Sequence, residues 1–331
     1  SLKPKFTPNK NKLLNKDVEN IFLFYERIIS AEKKLGLWGD IINDNFKLFH
    51  KYLNEKNHDE FRELFTNLGG AKFTIGLGLI GSIPSSFIRK IYTNNFVFKN
   101  ISILNEKNFN LEQLDMDVDF GNLMYFDYNN TKINSTSLSH LYYASEILDL
   151  DQNQKNIVEI GGGYGGLCHM LYKKLNFRGS YSIIDLNEIL IIAFVYLKQA
   201  LPQTNIILVD DVNQLNLQKD TIYLIPESLK NHLPKNYFDT CFNSRSLTEF
   251  DNSVFNDYLK VINNITKKNF IEFNHEWEYL YYDNLTKKYK RHNSFKNINE
   301  FYDFKLIESE YDQTFVEKSY IKKIYKKISE L

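Results

Sequence analysis

The 331 residues carry 41 Lys and Arg against 41 Asp and Glu, with 43% hydrophobic and 25% charged side chains, the balance of a globular chain with a substantial core and room for two ordinary domains. Zero formal net charge argues against a nucleic-acid partner, which demands a surplus of cations to displace phosphate counterions. No run of about 18 uncharged apolar residues is present, so no membrane-spanning helix is expected.

The nearest apolar run, Phe73–Ile88, is rich in Gly and Ser and broken by Pro84. The two cysteines, Cys168 and Cys241, make neither a disulfide framework nor a zinc pattern. No signal-peptide pattern follows Ser1, and a reducing, cytoplasmic compartment is the expectation. Residues 1–16 are polar and lysine-rich and read as a loosely docked arm. Asp17 reads as the N-cap of a helix running to about Leu35, with Ile21, Phe24, Tyr25, Ile28 and Ile29 at helical spacing. Further helices are expected over Trp38–Leu53 and Asp59–Leu68. Strands are expected over Phe96–Leu104 and Asn122–Tyr128. A helix capped by Ser135 or Ser137 carries Leu138, Leu141, Tyr142 and Ile147. Residues 1–134 thus read as a mainly helical N-terminal region, and 135–331 as a second unit joined to it without a long linker.

From Asn156 the rhythm becomes strand–turn–helix. Strands are expected at Asn156–Ile160, Ser180–Ile184, Asn205–Val209, Phe238–Asn243 and Asn269–Phe273, with an extra one at Thr221–Ile225 and a clear helix at Glu188–Leu201. Two late strands, Phe304–Glu310 and Lys318–Tyr325, are close enough to form a hairpin. The expected fold is α/β: a Rossmann-like, doubly wound, mostly parallel sheet with a C-terminal antiparallel hairpin, preceded by a mainly helical extension.

The segment IVEIGGGYGGL, residues 157–167, follows an apolar strand and opens a helix, the context in which a glycine motif carries meaning. Gly161, Gly163 and Gly166 satisfy G-x-G-x-x-G. Asp185 ends the next strand, placed to accept hydrogen bonds from ribose hydroxyls. That much fits either a nicotinamide dinucleotide or S-adenosylmethionine. Glu159 favours the second. A carboxylate beside the loop repels a pyrophosphate, whereas S-adenosylmethionine brings a sulfonium and an ammonium. Asp211, after the third strand in ILVDDV, is a candidate for the adenine edge, with Asp210 as rival.

VEIGGGYGG, the IIDL segment ending in Asp185, LVDD and FDTCFNSRSLTEF together resemble class I methyltransferases, and more narrowly the putative sugar O-methyltransferase family of bacterial surface-polysaccharide clusters. The resemblance covers roughly residues 135–280 and is weak over the first hundred. It implies S-adenosylmethionine as cofactor, held by Glu159, Gly161, Gly163, Tyr164, Asp185, Asp211 and Asn243. It also implies an Asn-Ser-x-Ser strand end, here Asn243–Ser246, followed by Glu249, and an Asn ending a further strand, here Asn274. Arg245, Ser246, Asn274 and His140 fall to the acceptor side. Thr248 and Phe250 depart from the family pattern around Glu249.

The carboxyl ends of the strands are where open α/β sheets bind ligands. A sugar hydroxyl is a poor nucleophile and gains about 10²–10⁴ in rate from a base. His275, directly after the fifth strand, is the first candidate for that base, and Glu249 the second. Tyr142, Tyr143 and Tyr279–Tyr282 are candidate stacking surfaces for a small-molecule or glycan acceptor. No compact ligand spacing points to a metal. A homo-oligomer is compatible with the sequence. The competing functions are an NAD(P)-dependent oxidoreductase, a cofactor-binding scaffold, and methylation of another small molecule or a protein. No clear Tyr-x-x-x-Lys catalytic pair beside a Ser supports the oxidoreductase.

Overall fold

From Asn156 onward the apolar segments are short and β-branched, and segments of that kind bury both faces by pairing in a parallel sheet covered by helices. In a computed structural model, which describes residues 3–28, 36–74, 77–79, 87–276, 280–283, 288–291, 293–314 and 320–330, they do so. Strands β1 to β3 are Pro4–Phe6, Met124–Tyr128 and Thr131–Ile133, and form a small antiparallel sheet. The main sheet contains β4 (Asn156–Ile160), β5 (Ser180–Asp185), β6 (Asn205–Leu208), β7 (Thr221–Pro226), β8 (Phe238–Ser244) and β9 (Thr266–His275). A separate hairpin joins β10 (Leu280–Asp283) to β11 (Lys288–Arg291). The main sheet is completed by β12 (Glu300–Phe301), β13 (Phe304–Tyr311) and β14 (Tyr320–Lys327).

Its nine strands run in the order β12-β13-β14-β9-β8-β4-β5-β7-β6. Strands β4 to β9 are mutually parallel, and β14 enters antiparallel beside β9 as the second arm of the C-terminal hairpin. Successive residues of β4 point to opposite faces. Ile157 joins one apolar core, and Val158 and Ile160 join the other.

The helices are α1 (Asn15–Ile28), α2 (Gly36–Asn45), α3 (Lys47–Asn54), α4 (His58–Glu63), α5 (Phe87–Glu106), α6 (Leu111–Leu114), α7 (Ser135–Leu150), α8 (Gly166–Lys174), α9 (Asn187–Ala200) and α10 (Asn252–Ile265). Residues of α1, α3, α5, α7, α8 and α9 share one apolar core with the Ile157 face of the sheet. The helical N-terminal region is therefore seated on the sheet rather than tethered to it.

Several local expectations are corrected. Phe96–Leu104 is helix, not strand: Val97, Asn100, Ile101 and Leu104 are buried at helical spacing while Phe98 and Ser102 face solvent. Asp17 lies in the first turn of α1, where its Oδ2 accepts the Leu14 N–H at 3.3 Å. Asn134, not Ser135 or Ser137, caps α7, accepting from the backbone of Thr136 and Ser137. Trp38–Leu53 is two helices that break at Phe46, and Asp59–Leu68 passes into a 3-10 stretch at Leu64. Residues 29–35, Lys318 and much of Phe73–Ile88 lie outside the described residues. Among the described residues no helix is long and apolar enough to cross a membrane.

Candidate active site

A cavity of about 460 Å³ opens at the carboxyl ends of the parallel strands, within the range of small-molecule sites. One end is built by the turn between β4 and α8. Gly161 takes φ +70°, and a β-carbon there would stand 2.1 Å from the Ser246 hydroxyl oxygen. Gly163 takes φ +56°, and among the described residues a β-carbon there would meet only Leu77, at 3.9 Å; Gly163 itself lines the cavity. The Gly163 N–H donates to Asp185 Oδ2 at 2.9 Å, and the Leu186 N–H donates to Asp185 Oδ1 at 2.7 Å.

Glu159 closes the floor behind this turn. Its Oε2 accepts the Tyr181 hydroxyl at 2.7 Å. Burial pushes its carboxyl up to about 8, against the opposing effect of Tyr181, and the nearby Asp185 adds to the rise. Burial pushes Asp185 up to about 7, with the two backbone N–H groups pulling the other way and Glu227 adding to the rise. The turn thus presents carboxyls and backbone N–H groups, and no Lys or Arg is among the described residues at this end.

The other end is formed by the loop after β8 and by the helical region. Arg245 sits at φ +57°, an uncommon conformation for a side-chain-bearing residue, and its Nη2 donates to the Tyr143 hydroxyl at 2.9 Å. Tyr143 donates in turn to Asp312 Oδ2 at 2.6 Å. Glu249 Oε2 accepts the Trp38 indole N–H at 2.7 Å. Burial pushes Glu249 up to about 7, opposed by the Trp38 bond and the Arg245 charge. His140, on α7, stands with its Nδ1 3.3 Å from the Tyr164 hydroxyl, and burial holds it down to about 3, so it is neutral at ordinary pH. Trp38, Phe96, Tyr143, Phe250 and Tyr320 supply aromatic wall.

Of the residues singled out from the sequence, Glu159, Gly161, Gly163, Tyr164, Asp185, Arg245, Ser246, Glu249 and His140 come together around this cavity. Four stand elsewhere. Asn243 lies beneath the wall, its amide donating to the Ile160 carbonyl at 2.8 Å and to the Ser246 hydroxyl oxygen at 2.5 Å. Asn274 lies deeper, donating to Asn243 Oδ1 at 2.9 Å and to Glu272 Oε2 at 2.8 Å. His275 is buried with its Nε2 3.3 Å from the Thr248 hydroxyl, behind the described wall. Asp211 is displaced because β7 inserts between β5 and β6. Its Oδ1 accepts the Asn213 N–H at 2.7 Å in a capping turn, while its neighbour Asp210 pairs with Arg27 at 2.7 Å. Pro226 pairs with Asp185 instead, and Glu227 follows it. Tyr142 is core, and Tyr279 lies outside the described residues. Trp38, Phe96 and Tyr320 carried no sequence signal, because only the packing of distant segments brings them here. Among the described residues no cluster of His, Cys, Asp and Glu is arranged to hold a metal.

The sheet, mostly parallel with a C-terminal antiparallel hairpin, is Rossmann-like in its architecture. No protein-family model and no curated protein matches the chain. Among solved structures it is similar to a 1,6-didemethyltoxoflavin-N1-methyltransferase from Burkholderia thailandensis with bound 1,6-didemethyltoxoflavin and S-adenosylhomocysteine, at 16% identity over 57% of this chain and 78% of the other, with a TM-score of 0.39. It is similar to a glycopeptide N-methyltransferase complexed with sinefungin, at 12% identity over 56% and 85%, with a TM-score of 0.40. It is also similar to the magnesium protoporphyrin IX methyltransferase of Synechocystis with bound S-adenosylmethionine, at 12% identity over 57% and 80%, with a TM-score of 0.40.

Proposed function

We propose that the chain is an S-adenosylmethionine-dependent O-methyltransferase whose acceptor is a hydroxyl of a sugar or glycan precursor. The observation that carries the reading is one cavity with two chemically different ends. The Glu159 carboxyl lies against the glycine turn, so close that a β-carbon on Gly162 would meet its Oε2 at 2.9 Å. Asp185 stands beside it with both oxygens anchored by backbone N–H groups. Carboxyls at a glycine turn suit a ligand bearing positive charge and ribose hydroxyls, and oppose a pyrophosphate. This donor set fits S-adenosylmethionine and disfavours the NAD(P) oxidoreductase reading.

When bound, the cofactor supplies a methyl group activated by its sulfonium. Glu159, the turn from Gly161 to Gly163, Tyr164 and Asp185 would hold it. The other end then has to align a hydroxyl and accept its proton. Glu249 is the group suited to this, since a base works best with a pKa near the working pH and its carboxyl is pushed up to about 7. His275, the first candidate from the sequence, is replaced in that role because it stands behind Thr248. Arg245 and His140 offer hydrogen-bonding groups to the acceptor, and the aromatic wall offers faces to the C–H surface of a sugar ring. Residues 1–134 serve on this reading as the acceptor-covering region, contributing Trp38, Leu77 and Phe96.

Thermal melts with S-adenosylmethionine, S-adenosylhomocysteine, NAD and NADP in parallel test the cofactor. A ligand at roughly 100 times its dissociation constant stabilises by about 2.7 kcal/mol, a shift of several degrees. A shift with the first two alone is expected. A shift with NAD or NADP alone overturns the reading.

A further inference from the structure

Trp38 and Glu249 are 211 residues apart in sequence, yet the indole N–H donates to Glu249 Oε2 at 2.7 Å, and both side chains line the same cavity. The carboxyl belongs to the turn after β8, and the indole belongs to α2 of the N-terminal helical region. We propose that Trp38 is the positioning residue for the acceptor-side base: its indole N–H fixes one oxygen of Glu249 and so makes the N-terminal region part of the proton-accepting apparatus. The proposal rests on the reading of Glu249 as that base.

An indole is suited to this work because it is a donor without acceptor capacity. It bonds either form of the carboxyl and more strongly the ionised one, since a charge-assisted hydrogen bond is the stronger kind. A plain apolar side chain at the same place would shield Glu249 from water and leave it protonated. Arg245, on the same loop, favours ionisation. His140 faces the cavity from α7 as a neutral ring. Of the elements packed against the Leu247–Glu249 turn, β9 ends in His275, whose ring stands beside Thr248, and α10 is preceded by Asp251. Trp38 is thus the group that converts a wall contributed by the helical region into control of the base.

The chain has two tryptophans, Trp38 and Trp277, so the indole ¹⁵N–¹H spectrum of the full-length protein holds two side-chain signals, and Trp38→Phe assigns them. The Trp38 signal is expected to titrate with Glu249, and the titration is expected to vanish in Glu249→Gln. In Trp38→Phe, the ¹³C midpoint of the Glu249 carboxyl is expected to rise by about half a unit or more. A Trp38 signal that is flat with pH, or a carboxyl midpoint unmoved by Trp38→Phe, overturns the positioning role. The underlying reading fails separately: the indole would still report Glu249, but Glu249→Gln would leave methyl transfer to a panel of hexosides and uronides at the wild-type rate.

Discussion

Glu159 and Tyr181 are joined across neighbouring parallel strands, the phenol donating to the carboxyl at 2.7 Å. The bond satisfies one oxygen of an acid that burial would otherwise make harder still to ionise. The protein therefore holds, directly behind its glycine turn, a buried carboxyl whose pKa is pushed up to about 8.

Linkage follows from that placement. The folded-state value of Glu159 is about 8 against an ordinary 4.5, and that of Asp185 is about 7 against 3.8. Between each pair of values the folded protein keeps a proton that the unfolded chain has released, so stability falls as pH rises through the window. Melting temperature of the ligand-free protein is expected to decline from pH 5 to pH 8 and to level above it. Glu159→Gln should lessen the decline, leaving the share of Asp185, Glu249 and Glu272, and weaken S-adenosylmethionine binding, whose positive charge favours the ionised acid. Calorimetry in buffers of different ionisation enthalpy should record proton release on binding near pH 7. Buried His140 and His169, held down to about 3, oppose the decline below about pH 6.5, so the test is the difference between wild type and Glu159→Gln: a difference in melting temperature that is constant with pH would contradict the raised value of Glu159.

Two glycines of the same turn separate folding from binding. At Gly161 a methyl group would be driven against Ser246 at a left-handed φ, and Gly161→Ala should lower both stability and ligand affinity. At Gly163 a methyl group has room but stands in the cavity. Gly163→Ala should cost about 1–2 kcal/mol for the left-handed conformation and remove cofactor binding while leaving a folded protein. Melting curves and titration calorimetry on the pair distinguish the two. Tight binding by Gly163→Ala would place the ligand elsewhere.

The strand insertion makes a third contrast. Asp185→Ala is expected to weaken cofactor binding by tenfold or more, on the scale of a lost hydrogen bond to a charged group. Asp211→Ala should leave binding unchanged and cost only the capping of its turn, about 0.5–2 kcal/mol. Calorimetry on both variants tests this. Equal losses would mean that Asp211 also reaches the ligand.

That contrast also marks what the sequence disclosed. The glycine motif and Asp185 were legible because a strand, a sharp turn and the next strand end are local features with fixed spacing. The segment Thr221–Ile225 was recognisable as a strand, but its insertion between β5 and β6 was not, because strand order is decided by long-range packing. Phe96–Leu104 misled for a related reason: its aromatic and β-branched residues suit a strand, and only the shared core with α7 shows which spacing is used. His275 looked suitable because it follows the expected strand end, but it is the buried last residue of β9, with its ring beside Thr248. Trp38 and Tyr320 reach the cavity from opposite ends of the chain and have no local signature.

Glu249 and His275 give the contrast that bears most directly on chemistry. Glu249→Gln keeps the size of the side chain and can still accept from the Trp38 indole, but it cannot take up a proton. Its methyl-transfer rate is expected to fall by about 10²–10⁴, with S-adenosylhomocysteine affinity retained. The wild-type rate should rise with pH through about 7, following the ionisation of Glu249. His275→Ala removes a buried ring packed against Thr248 and Tyr320, so it should lower stability and leave that pH profile in place. Transfer of labelled methyl to a panel of hexosides and uronides, measured across pH for both variants, decides between them. Loss of the pH-dependent limb in His275→Ala but not in Glu249→Gln would return the base to the histidine.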